Sequence, residues 1–349
     1  MNNNFYPVVG EDGSLSLYNT EVQDIYHSKI GACTEAKTKF VKTSAILEYV
    51  KNSNQVRILD ICYGLGYNTK IAVSEILKVN PECKIKIDAL EIDPKVLAVS
   101  CLYDSVHINS AVNSLLAQII SRNTCVKEQI QIFANHVTFK QFYGFKISRY
   151  IKTNIATRVV YLKTPRKPLF LHNTYYRTVS SRNSLHDFPS QLKKNISFKL
   201  YLEDARNSIK KLKGGYDFIF HDGFTPSKLP TLWSVEFFKA LYDLLNQNGN
   251  ITTYSSSASI RSAMRSAGFY IGNGCLINDK SFGTVGYKNV NLIKNKLSDK
   301  ELGLLNTKAG IPYFDPELSD MPDKIIQRRE QMIKNSNLIS SSRYFKDKK

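Results

Sequence analysis

Short apolar runs recur along the first half of the chain, and each is followed by a segment whose apolar positions repeat at helical spacing. The runs Val56–Ile61 and Lys84–Glu91 predict strands, and the segments Asn68–Val79 and Pro94–Tyr103 predict helices. Strands that alternate with helices form βαβ units, so this half of the chain predicts a parallel sheet.

The same alternation resumes near residue 197 and continues to residue 287. The predicted elements there are, in chain order, the strand Ser197–Leu202, a helix from Ala205, the strand Tyr216–His221, the helix Ser234–Leu245, the strand Asn250–Ser255, the helix Ala258–Ala267, and a hairpin of Phe269–Asn278 with Gly283–Tyr287. The predicted fold class is therefore α/β, with a doubly wound, mostly parallel sheet and an antiparallel closing strand.

Segments outside this pattern divide the chain. The predicted parts are an N-terminal cap over residues 1–55, a sheet core over 56–104 and 197–290, an insertion over 105–196, and a C-terminal extension over 291–349. Within the cap we predict a hairpin around Ser14–Asn19 and a helix around Thr38–Tyr49, and a further helix is predicted after Asp320.

Composition limits the class of protein. The chain has 349 residues, of which 42% are apolar, so it can build a sizeable core. No apolar run reaches the roughly 20 residues of a membrane span, and the first residues lack the pattern of a secretory signal, so neither is expected. The six cysteines form no Cys-x-x-Cys pair and the six histidines lack ligand spacing. We therefore expect no metal site, and a cytoplasmic location or an organellar stroma or matrix.

Positive charge is concentrated in one stretch of the chain. Between Ser121 and Leu200 there are 15 Lys and Arg residues against two acidic ones, which gives +13 of the net +18. Aromatic residues alternate with these basic ones, and the combination supplies phosphate contacts and stacking faces for unpaired bases. The insertion is therefore expected to contact RNA. The alternative is a solvated basic surface.

A glycine turn, Asp60-Ile-Cys-Tyr-Gly64-Leu-Gly66, follows the first core strand. It lacks the third glycine of a dinucleotide fingerprint and the Gly-Lys-Ser/Thr of a phosphate-binding loop, which favours S-adenosylmethionine as the cofactor. Glu91 ends the next strand, where an acid can hold two ribose hydroxyls. The alternative for the glycines alone is a tight turn without a ligand.

Two further carboxylates follow strands of the core. Asp204 is placed to accept a hydrogen bond from an adenine amino group, and it can also cap the helix that begins at Ala205. Asp222 follows the apolar run Tyr216–His221 at the carboxyl edge of the sheet, where ligands of open α/β sheets bind. It could instead only cap the turn after its strand. His221 alternates to the opposite face and is interpreted as a core or supporting residue.

Several motifs resemble those of MnmC-type methyltransferases. The segment Asp222-Gly-Phe-Thr-Pro226-Ser-Lys-Leu-Pro230-Thr-Leu-Trp233 is similar to the family signature Asp-Gly-Phe-x-Pro-x-x-x-Pro-x-x-Trp, and Tyr63-Gly-Leu-Gly-Tyr-Asn68 is similar to Phe-Gly-x-Gly-x-Asn. Further similar segments are Tyr26-His-Ser28 with Glu35, Ser259-Ile-Arg261, Ala267-Gly-Phe269 and Gly310-Ile-Pro-Tyr-Phe-Asp-Pro316. The resemblance covers roughly residues 15–104 and 197–318.

This resemblance implies a Rossmann-like class I methyltransferase that uses S-adenosylmethionine to methylate the amine of 5-aminomethyluridine at the tRNA wobble position. The implied partner is the anticodon arm of tRNA, and the implied form is the single-function one, without flavin. The residues implied for the cofactor are Tyr63, Gly64, Gly66, Asn68, Glu91, Asp204 and Asp222, with Asp222 also catalytic. Those implied for the substrate are Tyr26, Glu35, Phe224, Pro226 and Trp233.

Two positions depart from the family pattern. Cys62 stands where a glycine is common, and Phe314 stands where an arginine is expected. The first would reshape the cofactor turn, and the second removes an arginine that could contact phosphate. Two alternatives stay open at this stage, namely a methyltransferase for another RNA position or a small amine, and an RNA-binding protein that no longer catalyses transfer.

Overall fold

The computed structural model describes residues 5–103, 105, 107–135, 190–277, 280–281 and 283–346. The chain forms two compact units, each built from several segments. The first unit contains Met1–Lys37, Leu47–Gln55 and Tyr63–Leu202, and the second contains Thr38–Ile46, Val56–Cys62 and Glu203–Lys349.

The described strands are β1 (Phe5–Val9), β2 (Leu15–Asn19), β3 (Asp24–Ile25), β4 (Gln55–Ile61), β5 (Lys84–Glu91), β6 (Ile196–Leu202), β7 (Tyr216–His221), β8 (Leu245–Thr253), β9 (Tyr270–Asn273), β10 (Leu276–Ile277), β11 (Lys280–Ser281) and β12 (Thr284–Tyr287). The described α-helices are α1 (Ala32–Glu35), α2 (Ile46–Lys51), α3 (Tyr67–Val79), α4 (Pro94–Leu102), α5 (Ser110–Ile120), α6 (Thr124–Asn135), α7 (Ser190–Asn195), α8 (Ala205–Ser208), α9 (Val235–Leu244), α10 (Ala258–Ser266), α11 (Asp299–Leu305), α12 (Pro322–Asn335) and α13 (Ser341–Lys346).

The first unit joins a small antiparallel sheet to helices and a parallel strand pair. Strands β1 and β2 pair in antiparallel register, which confirms the hairpin predicted near Ser14–Asn19. Strands β5 and β6 pair in parallel from Ile85 opposite Ile196 to Glu91 opposite Leu202. Helix α4 begins with Pro94 after the cap Asp93, and its mostly buried residues pack against α5 and α6.

The second unit contains five neighbouring strands of a sheet, in the order β4-β7-β8-β12-β9. Strands β4, β7 and β8 are parallel, and β12 pairs antiparallel with both β8 and β9. The predicted closing hairpin is therefore confirmed, as is the predicted α/β class with a mostly parallel sheet. Ile61 and His221 stand opposite each other at the carboxyl ends of β4 and β7, so Asp222 emerges at that edge.

The helix predicted around Thr38–Tyr49 is wrong in its geometry. Ala36–Lys42 is a π-helix, and a residue with positive φ, Ala45 at 57°, interrupts the chain before α2. The Thr43 hydroxyl donates to the Thr38 carbonyl at 2.9 Å and the Ser44 hydroxyl donates to the Val41 carbonyl at 3.1 Å. Such side-chain bonds compete with the regular helical ladder, and π-helical turns are frequent at functional sites.

Candidate active site

The glycine turn after β4 depends on residues without a side chain. Gly64 and Gly66 have φ angles of 53° and 81°, and an added Cβ at Gly66 would meet the Tyr63 ring at 2.3 Å. The Gly66 amide donates to the Tyr63 carbonyl at 2.7 Å, which closes the turn immediately before α3. Only glycine fits this position, because a side chain at Gly66 would occupy the space of the Tyr63 ring, and both glycines are buried.

Glu91 is fixed by backbone donors at the end of β5. Its Oε2 accepts from the Gly64 amide at 2.8 Å, and its Oε1 accepts from the Ile92 and Asp93 amides at 2.8 and 3.0 Å. Burial raises the pKa of Glu91, while these three hydrogen bonds act in the opposite direction. The carboxylate is thus tied to the glycine turn, an arrangement that fits the recognition of two ribose hydroxyls beside that turn.

A buried lysine supports the same turn, which sequence reasoning missed. Lys70 on α3 is 2% exposed, and its ammonium donates to the Ser100 carbonyl at 3.0 Å and to the Ser100 hydroxyl oxygen at 2.9 Å. The Ser100 hydroxyl in turn donates to the carbonyl of Leu65 at 2.7 Å, between the two glycines. The Ser100 side chain therefore links Lys70 to the glycine turn.

The other residues implied for the first unit lie in packed surroundings. Asn68 is buried in the first turn of α3, and Tyr63 packs edge-on against Phe198 with ring centroids 5.6 Å apart. Tyr26 packs against Phe5, at 6.1 Å between ring centroids. Glu35 is buried and accepts from the Ser28 amide at 2.9 Å. A role for Tyr26 and Glu35 over the substrate stays a prediction.

In the second unit, Asp222 lies at the carboxyl end of β7. Its amide donates to the Ile61 carbonyl at 3.2 Å, so the parallel pairing of β4 and β7 extends to the carboxylate-bearing residue. The residue is half-buried, which leaves part of it open to a substrate. A residue whose backbone is fixed and whose surface is partly exposed is suited to orienting a reacting group of a substrate.

The loop from Asp222 to Trp233 is held by its own tryptophan. The Trp233 indole donates from Nε1 to the Phe224 carbonyl at 2.9 Å, and an added Cβ at Gly223 would meet that nitrogen at 3.4 Å. Trp233 is 0% exposed, whereas Phe224 and Pro226 are half-buried. In this conformation Trp233 therefore supports the loop and offers no open face to a base, which differs from the substrate contact that the resemblance implies for it.

His221 belongs to the core, as its alternation in β7 predicts. Its Nε2 donates to the Leu232 carbonyl at 2.8 Å, and its ring centroid lies 4.2 Å from that of Trp233. Burial lowers the pKa of His221 to about 4, so the imidazole is neutral near pH 7 and helps to hold the loop.

Lys39 is a second buried cation that sequence reasoning missed. It lies in the π-helix at 8% exposure, with its ammonium 5.6 Å from the centroid of the Tyr254 ring. Tyr254 makes an edge contact with Trp233 at 5.7 Å between ring centroids. The irregular helix therefore brings a cation next to the aromatic residues that support the Asp222 loop.

Asp204 has the cap position predicted for it and an additional partner. Its Oδ1 accepts from the Arg206 amide at 2.9 Å, and its Oδ2 accepts from Nη2 of Arg206 at 2.8 Å. Burial alone would raise the pKa of Asp204, but the hydrogen bonds from Arg206 outweigh it and the pKa is lowered. Asp204 is therefore held as a carboxylate.

The segment around Phe314 is bound by arginines of α12. Arg328 donates to the Phe314 carbonyl, while Arg329 donates to the Ile311 carbonyl at 2.7 Å and lies over the Tyr313 ring at 4.8 Å. Two arginines from the extension thus lie against the segment in which the expected arginine is missing. Their position could not be predicted from the motif, because they come from a separate helix.

Arg261 of the Ser259-Ile-Arg261 segment has structural partners. It is 3% exposed, and it donates to Thr284 Oγ1 at 3.0 Å and to Glu301 Oε1 at 2.8 Å. These bonds connect α10 to β12 and α11. These contacts give Arg261 a structural role, which is to hold three elements together.

Three further expectations concern a membrane span, a metal site and the basic insertion. Among the described residues no helix is long and apolar enough to cross a membrane, and no group of three His, Cys, Asp or Glu side chains could hold a metal ion. Helices α5 and α6 fall within the range of the basic insertion, whereas residues 136–189, which carry most of its charge, lie outside the described residues.

Known proteins resemble this chain in sequence and in fold. Residues 171–289 match a family model described as S-adenosyl-L-methionine-dependent methyltransferase. The crystal structure of MnmC2 from Aquifex aeolicus superposes with a TM-score of 0.66 at 22% identity, covering 96% of this chain and 87% of that chain. The likeness in structure establishes the fold.

Similar sequences include an uncharacterized protein of Methanocaldococcus jannaschii, 27% identical over 92% of this chain and 70% of that protein. The tRNA 5-methylaminomethyl-2-thiouridine biosynthesis bifunctional protein MnmC of Burkholderia pseudomallei is 24% identical over 75% of this chain but 32% of its own length. Its counterpart in Azoarcus sp. is 34% identical over 22% of this chain and 12% of its own length. The chain therefore matches a third or less of these bifunctional relatives, and the resemblance to MnmC-type methyltransferases is confirmed.

Proposed function

We propose that this chain, an S-adenosyl-L-methionine-dependent methyltransferase, methylates the amine of 5-aminomethyluridine at the wobble position of tRNA and forms 5-methylaminomethyluridine. The observation that carries the proposal is the Asp222 loop. Its carboxylate-bearing residue is fixed to β4 through the Ile61 carbonyl, and its return is fixed by the Trp233 bond to Phe224. These contacts hold one half-buried carboxylate at the edge of the sheet where α/β enzymes bind substrates.

The chemistry demands orientation and a neutral nucleophile. S-adenosylmethionine supplies the methyl group as an electrophile and leaves as S-adenosylhomocysteine. The amine lone pair must lie in line with the breaking bond at about 3–3.5 Å from the methyl carbon. An aminomethyl group is largely protonated near pH 7, so Asp222 is assigned to orient it and to accept the proton that the nitrogen must lose.

The turn and the two other carboxylates are assigned to the cofactor. Glu91 holds the ribose hydroxyls, because its carboxylate is already oriented by three backbone amides. Gly64 and Gly66, whose positive φ angles form the turn, are assigned to the cofactor together with Tyr63 and Asn68. Asp204 accepts from the adenine amino group, which its cap and Arg206 contacts leave possible because 30% of its side chain stays exposed.

The tRNA is assigned to the half-buried loop residues and to the basic insertion. Phe224 and Pro226 would contact the flipped-out uridine, and Trp233 would support the loop through its bond to the Phe224 carbonyl. Tyr26 and Glu35 are assigned to the cover of the site. Residues 105–196 would contact the phosphates of the anticodon arm, because +13 of the net charge lies between Ser121 and Leu200.

The test is transfer of labelled methyl from S-adenosylmethionine to bulk tRNA from cells that lack the wobble methyltransferase. We expect the label as 5-methylaminomethyluridine with the unmodified chain and its loss with Asp222→Ala. Asp243→Ala is the matched control, because Asp243 is exposed and pairs only with Lys239 on the surface of α9 among its described ion pairs.

Two results would contradict the proposal. Label at another nucleoside would assign the enzyme to a different RNA position. Tight cofactor binding without any transfer to tRNA would leave small amines or a non-catalytic RNA-binding role as the function to test next.

A further inference from the structure

An arginine lies between two carboxylates in the second unit, one of them from the C-terminal extension. Nη2 of Arg206 lies 2.8 Å from Asp204 Oδ2, and Nη1 lies 3.0 Å from Asp315 Oδ2. The Arg206 side chain is 11% exposed and that of Asp315 is 0% exposed. Because the guanidinium is a rigid planar fork, fixing one end of it fixes the direction of the other.

Each polar atom of Asp315 takes part in a hydrogen bond. Its Oδ1 accepts from the amides of Ser319 and Asp320, each at 3.0 Å, and its own amide donates to Glu236 Oε2 at 2.7 Å. Next to it, the Tyr313 carbonyl accepts from the Val235 amide at 3.0 Å, which ties the same segment to the start of α9. Asp315 is therefore a rigid point against which Arg206 is held.

The other end of the arrangement stays open. Asp204 receives the Arg206 guanidinium and the Arg206 amide, yet 30% of its side chain is exposed. Nε of Arg206 also lies 3.2 Å from both Asp204 oxygens, so one N–H group is shared between them. Three N–H groups of Arg206 therefore serve the roughly four lone-pair sites of the carboxylate, and one site stays available for a further donor. A carboxylate that one protein side chain orients, and that is still partly exposed, is suited to accept a hydrogen bond from a ligand.

We propose that Asp315 and Arg206 are positioning residues for cofactor recognition, and that they orient Asp204 toward the exocyclic amino group of adenine. The inference rests on the proposed function, because it takes Asp204 as the acceptor for adenine. It gives a role to the Gly310–Pro316 segment, which the proposed reaction does not otherwise use. The C-terminal extension would thus contribute to the selection of an adenine cofactor.

The experiment compares the binding of two ligands by isothermal titration calorimetry. One is S-adenosylhomocysteine, and the other is its hypoxanthine analogue, in which oxygen replaces the amino group. The unmodified chain should prefer the adenine ligand by about 10- to 100-fold, the range for a hydrogen bond to a charged acceptor. Asp204→Ala should remove the preference, and Asp315→Asn and Arg206→Lys should move it toward the Asp204→Ala value.

A purely structural role would weaken both ligands equally and leave their ratio unchanged, so the ratio is the decisive readout. Thermal melting shows that each variant is folded, and Arg206→Lys keeps the cation if Asp315→Asn does not fold. Lys211→Met is the matched control, because it breaks the exposed Lys211–Glu203 pair nearby and should leave the ratio unchanged.

The outcomes separate the two levels of the argument. An unchanged ratio in folded Asp315→Asn and Arg206→Lys, with a lost preference in Asp204→Ala, would overturn the positioning role alone. An unchanged ratio in Asp204→Ala would overturn the adenine contact and the positioning role together. Failure of the unmodified chain to bind S-adenosylhomocysteine would overturn the proposed function itself.

Discussion

The two groups of site residues are held by different kinds of contact. The turn group, Gly64, Gly66 and Glu91, is held mainly by backbone amides, and Glu91 accepts three of them. The motif group, Asp204, Asp222 and the segments bound to them, depends more on side chains: Arg206 contacts Asp204 and Asp315, and the Trp233 indole binds the Phe224 carbonyl, while Asp222 keeps a backbone bond to Ile61. The backbone contacts of Glu91 follow from the turn and the strand that carry them, whereas the Arg206–Asp315 pair joins residues 109 positions apart.

This difference has an electrostatic consequence. Burial raises the pKa of Glu91, because its backbone donors do not fully offset the loss of water. In the motif group, the pKa of Asp204 is lowered because cationic partners outweigh burial. The turn group therefore carries a carboxylate that is costly to ionise, whereas Asp204 in the motif group is stabilised as an anion.

The largest expected effect lies in the motif group. Asp222→Asn should lower kcat by about 10²- to 10⁴-fold, because the amide can neither accept the amine proton nor favour its removal. The dissociation constant of S-adenosylhomocysteine should change less than kcat, since Asp222 shares the cofactor with Glu91, Asp204 and the glycine turn. Single-turnover transfer and calorimetry on the same protein check both statements. An equal loss in both would mean that Asp222 mainly holds the cofactor.

The reverse pattern is expected for the turn group. Glu91→Gln should weaken S-adenosylhomocysteine by about 10- to 100-fold, because a charged acceptor for the ribose hydroxyls is lost. The rate at saturating cofactor should stay near that of the unmodified chain. Glu75→Gln is the control, since Glu75 pairs with Lys78 on the surface of α3. A fall in the saturated rate with unchanged affinity would contradict the division between the two groups.

The turn group could be predicted from sequence because its signals are local. Glycines after a strand and an acid at the end of the next strand specify their own backbone setting, and β5 has the predicted bounds Lys84–Glu91. The same holds for β7, predicted and found at Tyr216–His221. These elements carry an apolar pattern that tertiary contacts do not override.

The supporting residues could not be predicted, because no local pattern marks their partners. Arg206 and Asp315 are 109 positions apart, and Lys70 reads as an ordinary helix residue until Ser100 is brought to it. The π-helix around Lys39 was also missed, since the hydroxyl–carbonyl bonds of Thr43 and Ser44 that accompany it have no hydrophobic signature. Lys and Arg are usually exposed, so the burial of Lys70 and Lys39 and the low exposure of Arg206 are not expected from the sequence.

Acid should distinguish a carboxylate whose pKa is lowered, Glu301, from one whose pKa is raised, Glu91. Hydrogen bonds from Arg261, Ser298 and Asn273 outweigh burial and lower the pKa of Glu301 to about 2, so its contribution to stability is present above pH 4.5 and is lost as pH falls toward 2. Because the pKa of Glu91 is raised, its contribution is present at low pH and is lost as pH rises through the folded pKa.

The measurement is the free energy of unfolding in denaturant at pH 5.5 and pH 3. Glu301→Gln should reduce the loss on acidification by about 1–2 kcal/mol, a value discounted because 29% of the side chain is exposed. Glu91→Gln should leave that loss undiminished. Equal pH dependence in the unmodified chain and Glu301→Gln would mean that the Arg261 pair does not contribute to acid stability.

The smallest expected effect concerns Cys62, where the family usually has glycine. Cys62 has a φ angle of 64°, a left-handed conformation that costs a residue with a side chain about 1–2 kcal/mol. Glycine removes that cost but adds freedom to the unfolded chain, about 0.5–1 kcal/mol, so Cys62→Gly should stabilise the protein by about 0.5–1 kcal/mol. Cys275, half-buried like Cys62, is not among the described residues with positive φ, and Cys275→Gly should therefore destabilise. Denaturant unfolding of both variants decides the point: if Cys62→Gly lost as much stability as Cys275→Gly, the left-handed backbone would not be the feature that makes glycine favourable in this turn.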